Sequence, residues 1–211
     1  MARDEQSYLD DFPDPYVCRR CGSITGTVPQ SSCDQCGAHP LTFRRFEPIY
    51  WLGLYSSHEV LERLEGNPDL LQKAIHPLAP DRLDWTPRGT AWAATDVLRH
   101  LRDAQSVLAQ RITLILDEDD PPLEFKAVFA WTNQQTEETE SGEEIMESYA
   151  SSRRASVSRL LEIGPEEWRR TGLHEEFGRV TLLEQASYFA AHELTHLRQL
   201  EQLSRSMTAE A

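Results

Sequence analysis

Residues 192–196 read His-Glu-Leu-Thr-His. Histidines four apart stack on one face of a helix, so both rings can offer a nitrogen to a single metal ion. The carboxylate between them could orient a ligand or accept a proton. A second group of donors lies near the N-terminus. Cys18, Cys21, Cys33 and Cys36 form two C-x-x-C pairs, each followed by a glycine, Gly22 or Gly37. Each pair can supply two thiolates, and the glycine permits the positive-φ turn that aims backbone N–H groups at sulfur. The chain therefore carries residues for two metal centres, one built on imidazole and one on thiolate.

The cysteine pairs, about a dozen residues apart, resemble a zinc ribbon, with Gly26 and Pro29 placed for turns between short strands. Iron held rubredoxin-fashion would use the same four thiolates. A redox C-x-x-C would need a βαβ pattern around it, which is missing. Disulfides fit an exported protein, but the N-terminus, Met-Ala-Arg-Asp-Glu-Gln, has no apolar stretch of a signal peptide. The thiols are then expected to stay reduced in the cytoplasm. A piece of ~30 residues cannot fold on apolar burial alone, and a bound zinc would supply the deficit. His39, just past the second knuckle, could substitute for a ligand, although four cysteines suffice.

With 211 residues, the chain has room for one ordinary domain and a small appendage. Its formal net charge of -14 argues against a general nucleic-acid binder, which needs clustered Lys and Arg. Arg19, Arg20, Arg44 and Arg45 make the cysteine module locally basic, but Asp10, Asp11, Asp14 and Asp34 offset them. No apolar run approaches the ~18 residues of a membrane span. Residues 1–46 are assigned to the ribbon-like module and 47–211 to a second domain.

That second domain reads as all-α, with no alternating strand pattern after residue 50. A first helix is expected from Tyr50 to Leu64, stopped by Gly66-Asn67-Pro68, with a short turn at Asp69–Ile75 and a proline-rich loop over 77–89. A second spans Ala93–Asp117, where Val97, Leu101, Ala104, Leu108, Ile112 and Ile115 recur at helical spacing. His100 lies at the flank of that stripe. The connection 118–142 is long enough for a crossover. A third helix covers Glu143–Ile163, with Ile145, Tyr149, Val157, Leu160 and Leu161 inward. After a connection over 166–178, Thr181 caps a last helix, Leu182–Arg205, with Glu184 at the capping-box position. Four such helices make a four-helix bundle with a long crossover between helices 2 and 3.

At 100° per residue, Leu182, Ala186, Phe189, Leu197 and Leu200 define the buried face of the last helix, and Glu193 falls near its middle. A carboxylate there is costly unless paired or close to a metal. It would serve either as general base or as the partner of a buried arginine. His192 and His196 sit to one side, as metal ligands or as a boundary pair. His58, His76 and His174 read as surface or loop residues.

H-E-x-x-H is also the pattern of zinc metalloproteases. Such a site takes its third ligand from downstream, yet the 15 residues after His196 hold no histidine. Glu201 is too close on the same helix and Glu210 lies in the tail, so the alternative takes the third ligand from upstream, with inward-facing His100 as the best candidate. At this point the chain resembles the DinB-like metal-binding proteins. Residues 92–103, Trp-Ala-Ala-Thr-Asp-Val-Leu-Arg-His-Leu-Arg-Asp, are similar to their Trp…His-Leu-x-Asp signature, and Gly178–Leu182 followed by Ala191–Gln199 is similar to their last helix. The resemblance covers roughly residues 48–205. It implies a bundle in which His100, His192 and His196 hold a divalent ion such as zinc, nickel or iron. It also implies a metalloenzyme, with thiol S-transferases that join a low-molecular-weight thiol to a small electrophile among the known members, and a homodimer as a common assembly. The rivals are a metal-dependent hydrolase and a non-enzymatic scaffold whose ribbon docks a partner. The cysteine module departs from the family pattern.

Overall fold

The computed structural model describes residues 16–18, 24–25, 27–34, 37–45, 55–78, 82–86, 92–123, 140–175 and 178–209. Its elements are β1 (Tyr16–Cys18), β2 (Ile24–Thr25), β3 (Phe43–Arg45), α1 (Ser57–Ile75), α2 (Ala94–Asp117), β4 (Pro122–Leu123), α3 (Gly142–Leu161), the short α4 (Pro165–Trp168), β5 (Thr171–His174), β6 (Gly178–Thr181) and α5 (Leu182–Ala209). The segments group into two compact units. One draws on Met1–Ser57, Arg111–Phe125 and Gly164–Tyr188, the other on His58–Gln110, Lys126–Ile163 and Phe189–Ala211.

The second unit is a packing of four helices. Leu71 of α1, Val97, Leu98 and Leu101 of α2, Ile145 and Tyr149 of α3, and Leu194, Leu197 and Leu200 of α5 share one core. The stripe read on α2 is buried along its length. Ser141 caps α3 reciprocally with Glu144, which satisfies two backbone donors the first turn would otherwise leave open. The end of α3 corrects one expectation. Leu160 is buried, but Leu161 turns outward at 62% exposure, because one residue further rotates the side chain 100° off the inward stripe.

A second correction concerns α1. Gly66-Asn67-Pro68 does not stop this helix, which runs through all three residues to Ile75. Pro68 lacks an N–H, so the carbonyl of Leu64 loses its helical donor. The Arg153 guanidinium donates to that carbonyl instead, at 3.2 Å. Asn67 is buried and uses its amide inside the helix packing rather than in a turn. Tyr55 and Ser56, inside the expected first helix, precede α1 and are not helical, while residues 50–54 and most of the expected crossover, 124–139, lie outside the described residues.

In the other unit, three short strands stand where only a connection was expected. β4 pairs parallel with β5, and β5 pairs antiparallel with β6, placing Gly172 opposite Val180 and His174 opposite Gly178. The alternation is hidden because Gly172 and His174 take the buried positions of β5 while Leu173 is 45% exposed. A Cβ on Gly172 would stand 2.9 Å from Leu123 Cδ1, so glycine allows the close strand approach. Gly178 opens β6 at φ 74. β6 then runs directly into α5 through the expected box, Glu184 N–H donating to Thr181 Oγ1 and Thr181 N–H to Glu184 Oε2.

His174 is thus a buried residue, not a surface one. Burial, and then the charge of Arg111, push its pKa from 6.5 down to about 4. As the pH falls, the unfolded chain takes up this proton before the folded one does. The contribution to stability is therefore complete above pH 6.5 and is lost as the pH drops toward 4. It amounts to about 2–3 kcal/mol. Urea midpoints of chelator-treated protein should fall more steeply across that interval in the wild type than in His174→Gln. Parallel pH profiles would sink this assignment.

Near the N-terminus, β1 is the centre of a three-stranded sheet in the order β2-β1-β3, with Cys18 paired to Phe43. Cys33 is buried beside Ala38. Its carbonyl accepts from Gly37 N–H at 2.7 Å, and Gly37 has φ 68. His39 caps the 3₁₀ turn Pro40–Thr42, its Nδ1 accepting from Leu41 N–H. Cys21, Cys36 and the Cys18 side chain lie outside the described residues.

Candidate metal centre

Two helices bring the three singled-out histidines together. His100 comes from the flank of the α2 stripe and is 3% exposed. His192 and His196 come from successive turns of α5 and are partly buried. The Nε2 atom of His192 lies 3.1 Å from Nε2 of His100 and 3.1 Å from Nε2 of His196. Ligand nitrogens of a tetrahedral centre with metal–nitrogen bonds of ~2.0–2.1 Å stand about 3.3 Å apart, so the spacing suits one ion shared by three imidazoles.

The protonation states agree with that fit, since a ligating imidazole must be neutral. Burial, and next the neighbouring His196, push His100 down to about 4. Burial with the other two imidazoles drives His192 well below its ordinary value. Burial lowers His196 too, opposed in part by Gln199 and Glu193. The Nδ1 of His196 lies 2.9 Å from Gln199 Oε1. An amide oxygen can only accept, so Nδ1 carries the proton and Nε2 keeps its lone pair for a metal.

Trp92 walls the cluster. Its ring stacks at 15° on His196, centroids 6.1 Å apart, and meets His100 edge-on at 5.2 Å. The main chain just before α2 is held as Ala93 N–H donates to Asp96 Oδ2 at 2.9 Å.

Glu193 is not among the donor atoms that converge with the three imidazole nitrogens, although its charge reaches His196, and its carboxylate sits in a buried network. Its Oε2 accepts from Arg153 Nη1 at 3.0 Å and from Asn67 Nδ2 at 2.5 Å, and its Oε1 accepts from Arg153 Nη2. Burial works against the guanidinium charge of Arg153, but the Glu193 carboxylate outweighs it and holds the group above its ordinary value. Arg153 also lies over the Tyr149 ring, 5.0 Å from its centroid. Arg153 is the buried arginine that Glu193 needs if it is to be paired on an apolar face. Tyr149, Arg153 and Val157 are spaced four apart, so this arginine interrupts an inward stripe and can be found from the sequence. Gln199, three residues beyond His196, falls within the segment that resembles the family's last helix, but its contact with His196 Nδ1 is visible only in the structure.

Among the described residues no helix is long and apolar enough to cross a membrane. The solved structure of YfiT from Bacillus subtilis, described as a probable metal-dependent hydrolase with an unusual four-helix bundle topology, is similar in fold. It has a TM-score of 0.65 and 22% identity, over 72% of this chain and 87% of that one. A protein of Oceanobacillus iheyensis with the provisional name of metal-dependent hydrolase is 23% identical over 150 residues, which are 70% of this chain and 86% of the relative. The sequence matches the DinB superfamily over residues 63–200, a span that takes in His100, His192 and His196 and leaves out the cysteine module. The chain belongs to the DinB superfamily.

Proposed function

We propose that the protein is a metal-dependent hydrolase of small molecules, with one divalent ion held by His100, His192 and His196. The convergence of three neutral Nε2 atoms within 3.1 Å steps carries this reading. Three protein ligands leave a position for water or substrate, as catalytic centres require. A divalent ion held there would supply Lewis acidity, the chemistry that activates water near neutral pH. The chain's own residues hold and orient: Gln199 fixes the His196 tautomer, and Trp92 limits solvent on one side of the rings. The names of two similar proteins point the same way. In this reading Glu193 is not the general base, because both carboxylate oxygens already accept from Arg153 and Asn67.

Cys18, Cys21, Cys33 and Cys36 form a second, structural zinc site in the same reading. The spacing of the two pairs, the burial of Cys33 and the positive φ of Gly37 support it.

Elemental mass spectrometry on untagged protein should find one zinc per cysteine module and one further divalent ion per bundle. His196→Ala should lose the second and keep the first, and Cys36→Ser should do the reverse. A panel of ester, amide and lactone substrates should show hydrolysis that depends on the bundle metal. Bundle metal retained in His196→Ala would overturn the assignment. Turnover only with a low-molecular-weight thiol and an electrophile would replace the hydrolase by an S-transferase. Unfolding by chelator with neither activity would leave a metal-stabilised scaffold.

A further inference from the structure

The histidines of the centre come from α2 and α5, and the backbone bonds within each helix cannot fix one helix against the other. Sub-ångström placement of Nε2 atoms needs something that ties the two rods in rotation and in axial register. Apolar burial is non-directional, so it fixes rotation and register less sharply than oriented hydrogen bonds do. The structure holds a directional tie one step from the ligands.

We infer that Arg153 is a positioning residue that locks the His100 helix to the His192/His196 helix. Its guanidinium reaches both. Nε donates to Gln105 Oε1 on α2 at 2.7 Å, while Nη1 and Nη2 hold the Glu193 carboxylate on α5. Gln105 lies five residues beyond His100, and Glu193 lies between the two α5 ligands. The remaining bond capacity of Nη1 goes to the Leu64 carbonyl that Pro68 leaves without a helical donor. Gln105 is itself held, its Nε2 donating to Ser156 Oγ at 2.9 Å. Arg153, Glu193 and Gln105 are all at most 1% exposed. A planar fork with fixed donor directions resists rotation of α5 in a way that a point charge does not. The inference rests on the reading that the three histidines bind a metal.

The test uses cobalt(II) as the probe and full-length protein, with the cysteine module zinc-loaded. Two readouts are taken: cobalt affinity with its visible ligand-field spectrum, and the urea midpoint of protein with the bundle metal removed. Arg153→Met/Glu193→Leu removes the tie together with both charges, so no buried charge is stranded. Gln105→Leu cuts only the link to α2. Both variants should stay folded, lose about 10–100-fold in cobalt affinity and show an altered spectrum. Arg153→Lys should retain the ion pair but not the link to α2, and should move the spectrum in the same direction. Wild-type affinity and spectrum in the folded variants would overturn the inference while leaving the metal reading intact. Failure of both variants to fold would overturn it too, by showing that the network carries the fold rather than the ligand geometry. A wild-type protein that takes up no cobalt in the bundle would instead remove the metal reading.

Discussion

His192→Ala should leave a folded protein that no longer holds its bundle metal. His192 is the residue to choose because its Nε2 is the shared neighbour, 3.1 Å from each of the other two. Apparent binding energies of ~10–16 kcal/mol for four-ligand zinc sites correspond to about 3–4 kcal/mol per ligand, or two to three orders of magnitude in affinity. The same substitution should cost the metal-free protein only ~1 kcal/mol, the ordinary effect of a boundary substitution. Competition with a chromogenic chelator and a urea titration separate the two quantities. A variant that binds metal like the wild type would refute the three-histidine centre.

Acid should expose the same centre from another side. His100 titrates at about 4 and His192 well below its ordinary value, because burial and mutual repulsion oppose their imidazolium forms. The unfolded chain protonates first as the pH falls below 6.5, so the metal-free bundle loses stability between there and about 4. Bound metal, which requires neutral imidazoles, opposes that loss until protons displace it. The difference in midpoint between metal-loaded and metal-free protein should therefore shrink on the acid side and vanish in His192→Ala.

The long elements were legible because one period explains each of them. The α2 stripe, the Thr181/Glu184 box and the buried face of α5 all follow from local pattern, and the structure has them at the expected residues. The readings that failed share another feature. Gly66-Asn67-Pro68 has every mark of a helix stop, but its cost is met by Arg153, 85 or more residues away in the sequence. Local propensity cannot register a distant donor. The β5–β6 hairpin was invisible because its inward positions are Gly172 and His174, and its outward one is Leu173. The site divides in the same way. Spacing and resemblance pointed to His100, His192 and His196, whereas the Arg153–Gln105 link depends on which side chains face each other across the bundle.

Arg153→Met alone should be among the most damaging single substitutions in the chain, at about 3–5 kcal/mol. The pair it breaks is 1% exposed on both sides. With the guanidinium gone, the buried Glu193 carboxylate keeps only neutral donors, Asn67 and the nearby Tyr149 hydroxyl, and no countercharge. The Leu64 carbonyl and Gln105 Oε1 also lose their donor. Glu193→Gln should cost less, because an amide oxygen can still accept from Arg153 and the stranded charge is one whose Nε and Nη1 retain Gln105 and Leu64. Adding Glu193→Leu to Arg153→Met should then recover most of the loss, since replacing a buried ion pair by apolar groups of similar size is often neutral. The measurement is a double-mutant cycle on urea midpoints. A single Arg153→Met shift below about 1 kcal/mol, or no recovery in the double variant, would mean that the pair is not the buried charge lock that its geometry implies.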